Sequence, residues 1–281
     1  MQATKTSLDS YVSVLMMENK VVTKKVLERA GISVPGGYEY TSPEAGMADY
    51  RLYAGKPVVI KPKSTNFGLG ITILKHNYDE TDFKAALQIA FEHDNTVLIE
   101  KFIPGREFRI FIINDEVVGI LHRVPANVTG DGVLNIGQLI DRKNEDPLRG
   151  KGYRTPLEKI RKGREEEMFL KQQGMDFNTV PKEGEVVYLR ENSNISTGGD
   201  SIDFTDDIDD SYKAIAVEAA KALNVKITGL DMMIQDIHAP ATPDNYAIIE
   251  MNFNPAIHIH CYPFKGKNRH LNHKMIRALG F

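Results

Sequence analysis

Apolar and polar positions along the chain follow two different periods. Short apolar runs bounded by turn residues predict strands at Pro57–Lys61, Gly70–Lys75, Thr96–Glu100, Glu107–Ile113, Glu116–Val124, Thr228–Gln235 and Tyr246–Met251. Apolar positions spaced by three and four residues predict helices over Asn19–Ala30, Thr81–His93 and Asp210–Leu223. This alternation of strands and helices predicts an α/β or α+β fold.

Composition narrows the class of protein. The 281 residues include 35 Lys and Arg and 38 Asp and Glu, giving a net charge of −3, which argues against a protein built mainly to bind nucleic acid. Cys261 is the only cysteine, so no disulfide framework is possible and a reducing compartment fits. No apolar run reaches the roughly 20 residues that span a bilayer, and the N-terminal segment lacks a secretory-signal pattern. We therefore expect a cytoplasmic globular protein with no membrane partner.

The near-neutral total conceals two strongly charged segments. Within a polar stretch at about residues 126–185, the segment Arg142–Arg164 holds nine Lys or Arg and three Asp or Glu, a net charge of +6. The block Asp200–Asp210 then holds six Asp and no Lys or Arg. Both segments are typical of solvated surface. The alternative is that the basic segment is a mobile flap over an anionic substrate.

The segment Lys61–Gly70 is the first candidate for chemistry. A lysine at a strand end precedes a loop with hydroxyl and glycine residues, whose backbone N–H groups could meet phosphate oxygens. The Walker A spacing occurs nowhere in the chain, which excludes a P-loop. The first strand is followed by a loop and a strand rather than by a helix, which excludes a Rossmann fingerprint. An ordinary hairpin loop is the alternative.

Two further constellations involve strand ends. The segment Val97–Ile103 could form a hinge whose backbone groups bind an adenine edge, with Glu107 accepting from ribose hydroxyls, although a charged turn after a strand is common. Asp231, Glu250 and Asn252 would place three oxygen ligands on two neighbouring strands, a set that suits Mg²⁺. Polar residues that simply face water at a strand end are the alternative.

A zinc site is a fourth hypothesis. His258 and His260 could point the same way from one strand, close to Cys261. A fourth ligand at a standard spacing is not evident, so ordinary polar residues near a substrate pocket are the favoured interpretation.

Taken together and in order, these motifs resemble the ATP-grasp carboxylate–amine ligases. A lysine-bearing helix, V-I-K-P, a glycine loop, I-E-K-F-I-x-G-x-E, an Asp and finally E-x-N extend from about Glu18 to Leu271. RVPANVTGDG and YLRENSNISTGGDSID resemble the branch with cyanophycin synthetases and bifunctional γ-glutamylcysteine ligase/glutathione synthetases. YVSVLMMENKVVTKKVLERAGISVPGG and FNPAIHIHCYPFKGKNR are more similar to the bifunctional glutathione synthetases.

The resemblance implies an α+β fold of the ATP-grasp type, with two α/β lobes whose antiparallel sheets grip a nucleotide. It divides the chain into a helical N-terminal segment and linker (1–54), a small lobe with the phosphate loop (55–103) and a large lobe with the metal site (104–281). The basic insert at about 126–185 belongs to the large lobe.

The resemblance also assigns residues. Those implied to bind the nucleotide are Lys20, Lys61, Ser64, Asn66, Gly68, Gly70, Glu100, Lys101, Ile103 and Glu107. The implied metal ligands are Asp231, Glu250 and Asn252. The groups implied to face the acyl phosphate and the peptide carboxylates are Arg109, Arg123, Arg190 and Asn194.

The implied reaction is ATP-dependent joining of γ-glutamylcysteine and glycine to glutathione through an acyl phosphate. Its implied cofactors are ATP and two Mg²⁺ ions, with Mn²⁺ as a substitute, and an upstream γ-glutamylcysteine ligase domain and a homodimer are compatible with it. The chain has little room for the extra N-terminal domain of free-standing ATP-grasp enzymes. Another amino-acid ligase of cyanophycin-synthetase type, an isolated nucleotide-binding module and a structural domain therefore stay open.

Overall fold

The computed structural model describes residues 6–64, 69–75 and 77–281. Its helices are α1 (Tyr11–Glu18), α2 (Lys20–Arg29), α3 (Pro43–Ala48), α4 (Tyr50–Tyr53), α5 (Glu80–Phe91), α6 (Ile136–Lys143), α7 (Arg164–Gln172), α8 (Asp210–Ala222), α9 (His258–Cys261) and α10 (Leu271–Ala278). Its strands are β1 (Gly37–Tyr40), β2 (Val58–Pro62), β3 (Thr72–Leu74), β4 (Val97–Lys101), β5 (Arg106–Ile113), β6 (Glu116–Val124), β7 (Asn127–Thr129), β8 (Arg149–Gly150), β9 (Leu157–Glu158), β10 (Val186–Tyr188), β11 (Asp200–Asp203), β12 (Ile227–Ile234) and β13 (Tyr246–Asn252).

The chain forms two compact units, each built from two stretches of sequence. Unit 1 comprises Met1–Val117 and Asp207–Pro255, and unit 2 comprises Val118–Asp206 and Ala256–Phe281. The predicted lobe boundaries at residues 54 and 103 stay a prediction. Among the described residues, no helix is long and apolar enough to cross a membrane.

Unit 1 contains a four-stranded antiparallel sheet in the order β1-β4-β2-β3. Strands β2 and β4 and helix α5 confirm the predicted elements to within a few residues, and their apolar side chains form one core. Its fully buried members include Ile60, Phe83, Leu87, Val97 and Ile99. Helix α5 begins at a capping box in which Asp79 and Asp82 satisfy each other's backbone N–H groups.

Four elements of unit 1 lie outside the prediction: helices α1, α3 and α4 and strand β1. Helix α1 is apolar on several faces and so shows no clear period, but Ser10 caps its start by accepting from the Ser13 N–H. Strand β1 begins at Gly37, where the sequence indicates only a turn. A Cβ at this position would lie 2.2 Å from the Ile99 carbonyl oxygen, so glycine is what lets β1 approach β4.

Unit 1 also contains three further antiparallel strands, in which β5 pairs with β12 and β12 pairs with β13. Strands β5, β12 and β13 confirm the strands predicted at residues 107–113, 228–235 and 246–251. Helix α8 confirms the helix predicted at residues 210–223. After β5, Asn114 and Asp115 have positive φ angles of 49° and 65°, as a two-residue hairpin turn requires.

Unit 2 pairs β6 with β11 and β7 with β10. The polar stretch at about residues 126–185 contributes most of a separate hydrophobic core, whose members are Ala126, Val128, Ile136, Leu139, Ile140, Ile160, Leu170, Val187 and Leu189. The interpretation of the charged segments as solvated surface is therefore wrong for Arg149 and Asp200. The Arg149 side chain is fully buried and pairs with Asp200. Asp200 also accepts from Lys143, at 2.7 Å.

Candidate nucleotide and metal site

Three lysines of unit 1 gather around two glutamates. The Asn19 side chain caps α2 by accepting from the N–H groups of Val21 and Val22, so the helix starts at Lys20. Lys20 and Lys24 are four residues apart and therefore share one face of α2. The Lys20 ammonium lies 3.8 Å from Glu250 Oε1.

Glu100 lies between two lysines. Lys24 pairs with Glu100 Oε1, and Lys61 at the end of β2 lies 2.8 Å from Glu100 Oε2. The side chains of both lysines are 12% exposed and that of Glu100 is 6% exposed, so these charges have little access to water. One carboxylate therefore serves two ammonium groups, and the trio carries one net positive charge.

Burial and charge shift the pKa values in this trio. Burial, together with the neighbouring charge of Lys61, lowers the pKa of Lys24 from 10.5 to about 8. Burial acts to raise the pKa of Glu100, but the charges of Lys61 and Lys24 outweigh it and keep that pKa below its usual value. Glu100 is therefore ionised at neutral pH.

The segment Val97–Ile103, which contains β4, was predicted to form an adenine hinge. The N–H of Lys101 donates to the Gly36 carbonyl at 2.8 Å, and the N–H of Phe102 donates to the Pro57 carbonyl at 3.0 Å. The N–H groups of Lys101 and Phe102 are therefore both used within the fold. Ile103 is the next residue of the predicted hinge after them. The Glu100 side chain points to the lysines rather than serving as a free acceptor.

The two ends of the predicted phosphate loop are held by the turn after α5. The N–H and hydroxyl of Ser64 both donate to Asp94 Oδ2, at 2.7 and 2.6 Å. Gly70 has a φ of +74°, and a Cβ there would lie 2.7 Å from atoms of Pro62 and His93. Asn66 and Gly68 lie outside the described residues. The hydroxyl of Ser64 thus faces a carboxylate in this conformation.

The predicted metal ligands lie on one face of two paired strands. In the β12–β13 register, Asp231 is opposite Glu250 and Gly229 is opposite Asn252. Since side chains two residues apart on a strand point the same way, the three oxygen donors share a face.

Arg109 contacts this set directly. It is opposite Asp231 in the β5–β12 register. Its Nε donates to Asp231 Oδ1 and its Nη2 donates to Asp231 Oδ2 at 2.8 Å. The pair is bidentate and buried, which orients the carboxylate. The expected role of Arg109 at the substrate stays a prediction.

The donor set fits a hard divalent cation. A carboxylate offers about four lone-pair sites, so the bidentate arginine leaves Asp231 able to bind a cation as well. The Asn252 amide nitrogen donates to the Gly229 carbonyl at 3.2 Å, which leaves the amide oxygen as an acceptor. Glu250 is partly exposed and completes an oxygen-only set of the kind that Mg²⁺ or Mn²⁺ prefers.

Glu107, the predicted ribose acceptor, lies in β5 of unit 1 opposite Met233. Three further predicted residues, Arg123, Arg190 and Asn194, lie in unit 2. The Arg190 Nε donates to Glu166 Oε1 at 2.6 Å, and its guanidinium also pairs with Glu165. Arg123 is opposite Ser201 in the β6–β11 register. The Asn194 carbonyl accepts from the Gly199 N–H at 3.1 Å. Arg190 is therefore tied to the first turn of α7, and a substrate role for these residues stays a prediction.

The strand geometry considered for a zinc site is wrong. His258, His260 and Cys261 lie in the short helix α9, where residues two apart do not face the same way. Within the described ranges, no three His, Cys, Asp or Glu side chains gather in a manner that could hold a metal ion.

Lys24 is the residue of this region that the sequence prediction missed. Its signal was present in the spacing N-K-V-V-T-K, because a lysine four residues after Lys20 must share its helix face. The partner Glu100 lies 76 positions away, so only the fold shows the pair.

The chain is similar to known proteins along nearly its whole length. It is 63% identical over 281 residues to the glutathione biosynthesis bifunctional protein GshAB of Desulfotalea psychrophila, covering 100% of this chain and 36% of that protein. It is 48% identical to the crystal structure of a bifunctional glutathione synthetase from Pasteurella multocida, with a TM-score of 0.76, covering 99% of this chain and 38% of the other. This chain thus spans little more than a third of these relatives.

More distant similarity concerns the fold. A family model described as the C-terminus of D-Ala–D-Ala ligase matches residues 39–135. A structure of the ATP-grasp ligase PsnB with a minimal precursor is 15% identical with a TM-score of 0.52, covering 96% of this chain and 64% of the other. The predicted α+β fold of ATP-grasp type is therefore confirmed. The chain therefore has the ATP-grasp fold, and along nearly its whole length it is similar to one part of the bifunctional glutathione-biosynthesis proteins.

Proposed function

We propose that this chain is an ATP-dependent carboxylate–amine ligase that joins γ-glutamylcysteine to glycine, giving glutathione, ADP and phosphate. The observation that carries the proposal is the geometry of unit 1, which holds an oxygen-donor set on β12 and β13 and three lysines within the same unit. Such a site suits a metal-bound polyphosphate. The identity of the substrates rests on the printed names of the relatives.

The chemistry solves a leaving-group problem. A carboxylate is a poor electrophile because substitution would expel oxide. In the proposed reaction a carboxylate oxygen of γ-glutamylcysteine attacks the γ-phosphorus of ATP, and the bond from that phosphorus to the β,γ-bridging oxygen breaks to release ADP. The glycine amine then attacks the acyl carbon and loses a proton, and phosphate leaves with the former carboxylate oxygen. No side chain is needed as a nucleophile, so catalysis consists of positioning and charge neutralisation.

The residues present can be assigned to this task. Lys20 and Lys61 supply positive charge to the nucleotide phosphates. Asp231, Glu250 and Asn252 hold divalent cations, Mg²⁺ or in its place Mn²⁺, and Arg109 fixes the carboxylate of Asp231. We propose two bound ions, which when present neutralise the charge of the transferring phosphoryl group.

The remaining assignments follow the sequence prediction. The loop with Ser64, Asn66, Gly68 and Gly70 covers the phosphates. Glu100, Lys101 and Ile103 form the adenine hinge and Glu107 accepts from the ribose. Arg123, Arg190 and Asn194 face the acyl phosphate or the substrate carboxylates.

The partners are proposals of the same kind. Because the relatives are bifunctional and longer, we propose an upstream γ-glutamylcysteine ligase domain as the source of the first substrate. We place the reaction in the cytoplasm, where ATP is available, and we propose that the protein functions as a homodimer.

The test is phosphate release by the purified chain with ATP, Mg²⁺, γ-glutamylcysteine and glycine, each omitted in turn. We expect release only when all are present. Release with aspartate-rich peptides in place of γ-glutamylcysteine would instead indicate a ligase of cyanophycin-synthetase type. Tight ATP binding without substrate-dependent release would reduce the function to nucleotide binding.

A further inference from the structure

Lys24 has no role in the assignments above, although it is one of the most enclosed charges of unit 1. It lies on the inner face of α2, one turn after Lys20, and lines a small cavity with Lys20, Glu250 and Met251. Its ammonium pairs with Glu100 Oε1. A lysine is rarely enclosed to this degree unless a partner compensates the charge, and here the partner also holds Lys61.

The pairing of Lys24 with Glu100 affects how much positive charge Lys61 can present to a phosphate. If Glu100 paired with Lys61 alone, the two charges would cancel, and a phosphate approaching Lys61 would meet a neutral pair. Because Lys24 occupies the other carboxylate oxygen, the trio keeps one positive charge, and Lys61 is the member that directly precedes the predicted nucleotide loop. The Glu100 side chain is buried, and each of its carboxylate oxygens is paired with one lysine.

We propose that Lys24 is a positioning residue of the nucleotide site, which neutralises Glu100 so that Lys61 keeps its charge for a nucleotide phosphate. This inference rests on the proposed function, because it requires that the nucleotide binds beside Lys61. Lys24 acts through Glu100 and not by contact with the phosphate. Its effect is therefore confined to ligands that carry phosphate groups and depends on the carboxylate of Glu100.

The test compares binding of ATP–Mg²⁺ and of adenosine to the full chain by calorimetry. For Lys24→Met we expect about tenfold weaker binding of ATP, a loss typical for one charge-assisted contact, with unchanged binding of adenosine. Lys24→Arg keeps the charge and should retain most of the ATP affinity. Lys25→Met is the matched control, because Lys25 is the next residue of the same helix and is exposed.

The double variant distinguishes the indirect role from a direct one. In a Glu100→Gln background, Lys24→Met should have little further effect on ATP binding, because the group through which Lys24 acts is absent. An equal loss in both backgrounds would mean direct contact with phosphate and would overturn the proposal. Parallel loss of ATP and adenosine binding would indicate a purely structural role and would overturn it as well.

Binding by the wild-type chain distinguishes a failure of the proposed function from a failure of the role proposed for Lys24. If it binds neither ATP nor adenosine, the proposed function fails and this inference fails with it. If it binds ATP and Lys24→Met binds ATP equally well, only the role of Lys24 is wrong.

Discussion

At the scale of single residues, charges inside this molecule occur in matched sets. Arg109 pairs with Asp231, and Glu100 is shared by Lys24 and Lys61. The side chains of both groups have little access to water. A buried ion pair contributes little net stability compared with apolar side chains of the same shape. Removing one partner is costly, however, because the other charge then remains buried without compensation.

This reasoning predicts the effect of Arg109→Met. The variant leaves the Asp231 carboxylate buried without its counterion, and we expect the free energy of unfolding to fall by about 3–5 kcal/mol. Urea unfolding followed by circular dichroism measures it. The double variant Arg109→Met, Asp231→Asn removes both charges and should recover part of the loss. Wild-type stability of the single variant would show that the pair is not enclosed as described.

The depressed pKa of Lys24 predicts a pH dependence. The groups that face Lys24 are Glu100, Lys61, Lys20 and Glu250. The folded chain releases the Lys24 proton at about pH 8, whereas an unperturbed lysine does so near 10.5. Between these values the unfolded chain binds more protons, so the contribution of Lys24 to stability rises with pH. Below about pH 8 the full cost of the buried charge is present.

The measurement is the difference in the free energy of unfolding between wild type and Lys24→Met from pH 7 to 10.5. One pKa unit corresponds to about 1.4 kcal/mol, so the difference should shift toward the wild type by up to about 3 kcal/mol over this range. Lys25→Met again serves as the control. A constant difference would contradict a depressed pKa for Lys24.

The residue scale also shows what the sequence could reveal. Carboxylates within apolar strands marked Asp231 and Glu250 as special, because an unpaired charge there would be unfavourable. That Arg109 is opposite Asp231 depends on the register of β5 against β12, which no local pattern contains. Lys24 was missed for the same reason, since its partner lies on another element.

At the scale of elements, the pattern of apolar residues was a good guide to the buried helices and strands. Helix α5 was predicted because its apolar positions match the helical period, and β2 and β4 because each is a short apolar run bounded by turn residues. Helix α1 was missed because apolar residues occupy several of its faces. Strand β1 was missed because glycines indicate turns, whereas here Gly37 serves close approach between strands.

This interpretation of Gly37 gives a prediction with a neighbouring control. Gly37→Ala would force its Cβ against the Ile99 carbonyl and the Glu100 backbone, so β1 must shift away from β4. We expect a loss of about 1–3 kcal/mol in the free energy of unfolding, as for other overpacked sites. Gly36→Ala is the control, because a Cβ there meets nothing within 4 Å. Equal stability of the two variants would mean that β1 and β4 are not this close.

At the scale of the whole molecule, each unit is assembled from two separate stretches of the sequence. The net charge of −3 gave no sign of the candidate site, because it averages the basic segment Arg142–Arg164 with the six aspartates of Asp200–Asp210. The ATP-grasp fold was nevertheless predictable, because the sequence shows the order of the motifs along the chain even though it does not show the contacts between them.

In the proposed reaction, a carboxylate is activated by phosphorylation before the amine attacks. The direct test supplies γ-glutamylcysteine labelled with ¹⁸O in its cysteinyl carboxylate, together with ATP, Mg²⁺ and glycine, and analyses the phosphate by mass spectrometry. We expect one ¹⁸O atom in the phosphate for each glutathione formed, because the former carboxylate oxygen leaves with the phosphoryl group. Glutathione formation with unlabelled phosphate, or labelled substrate left unchanged while ATP is hydrolysed, would contradict it.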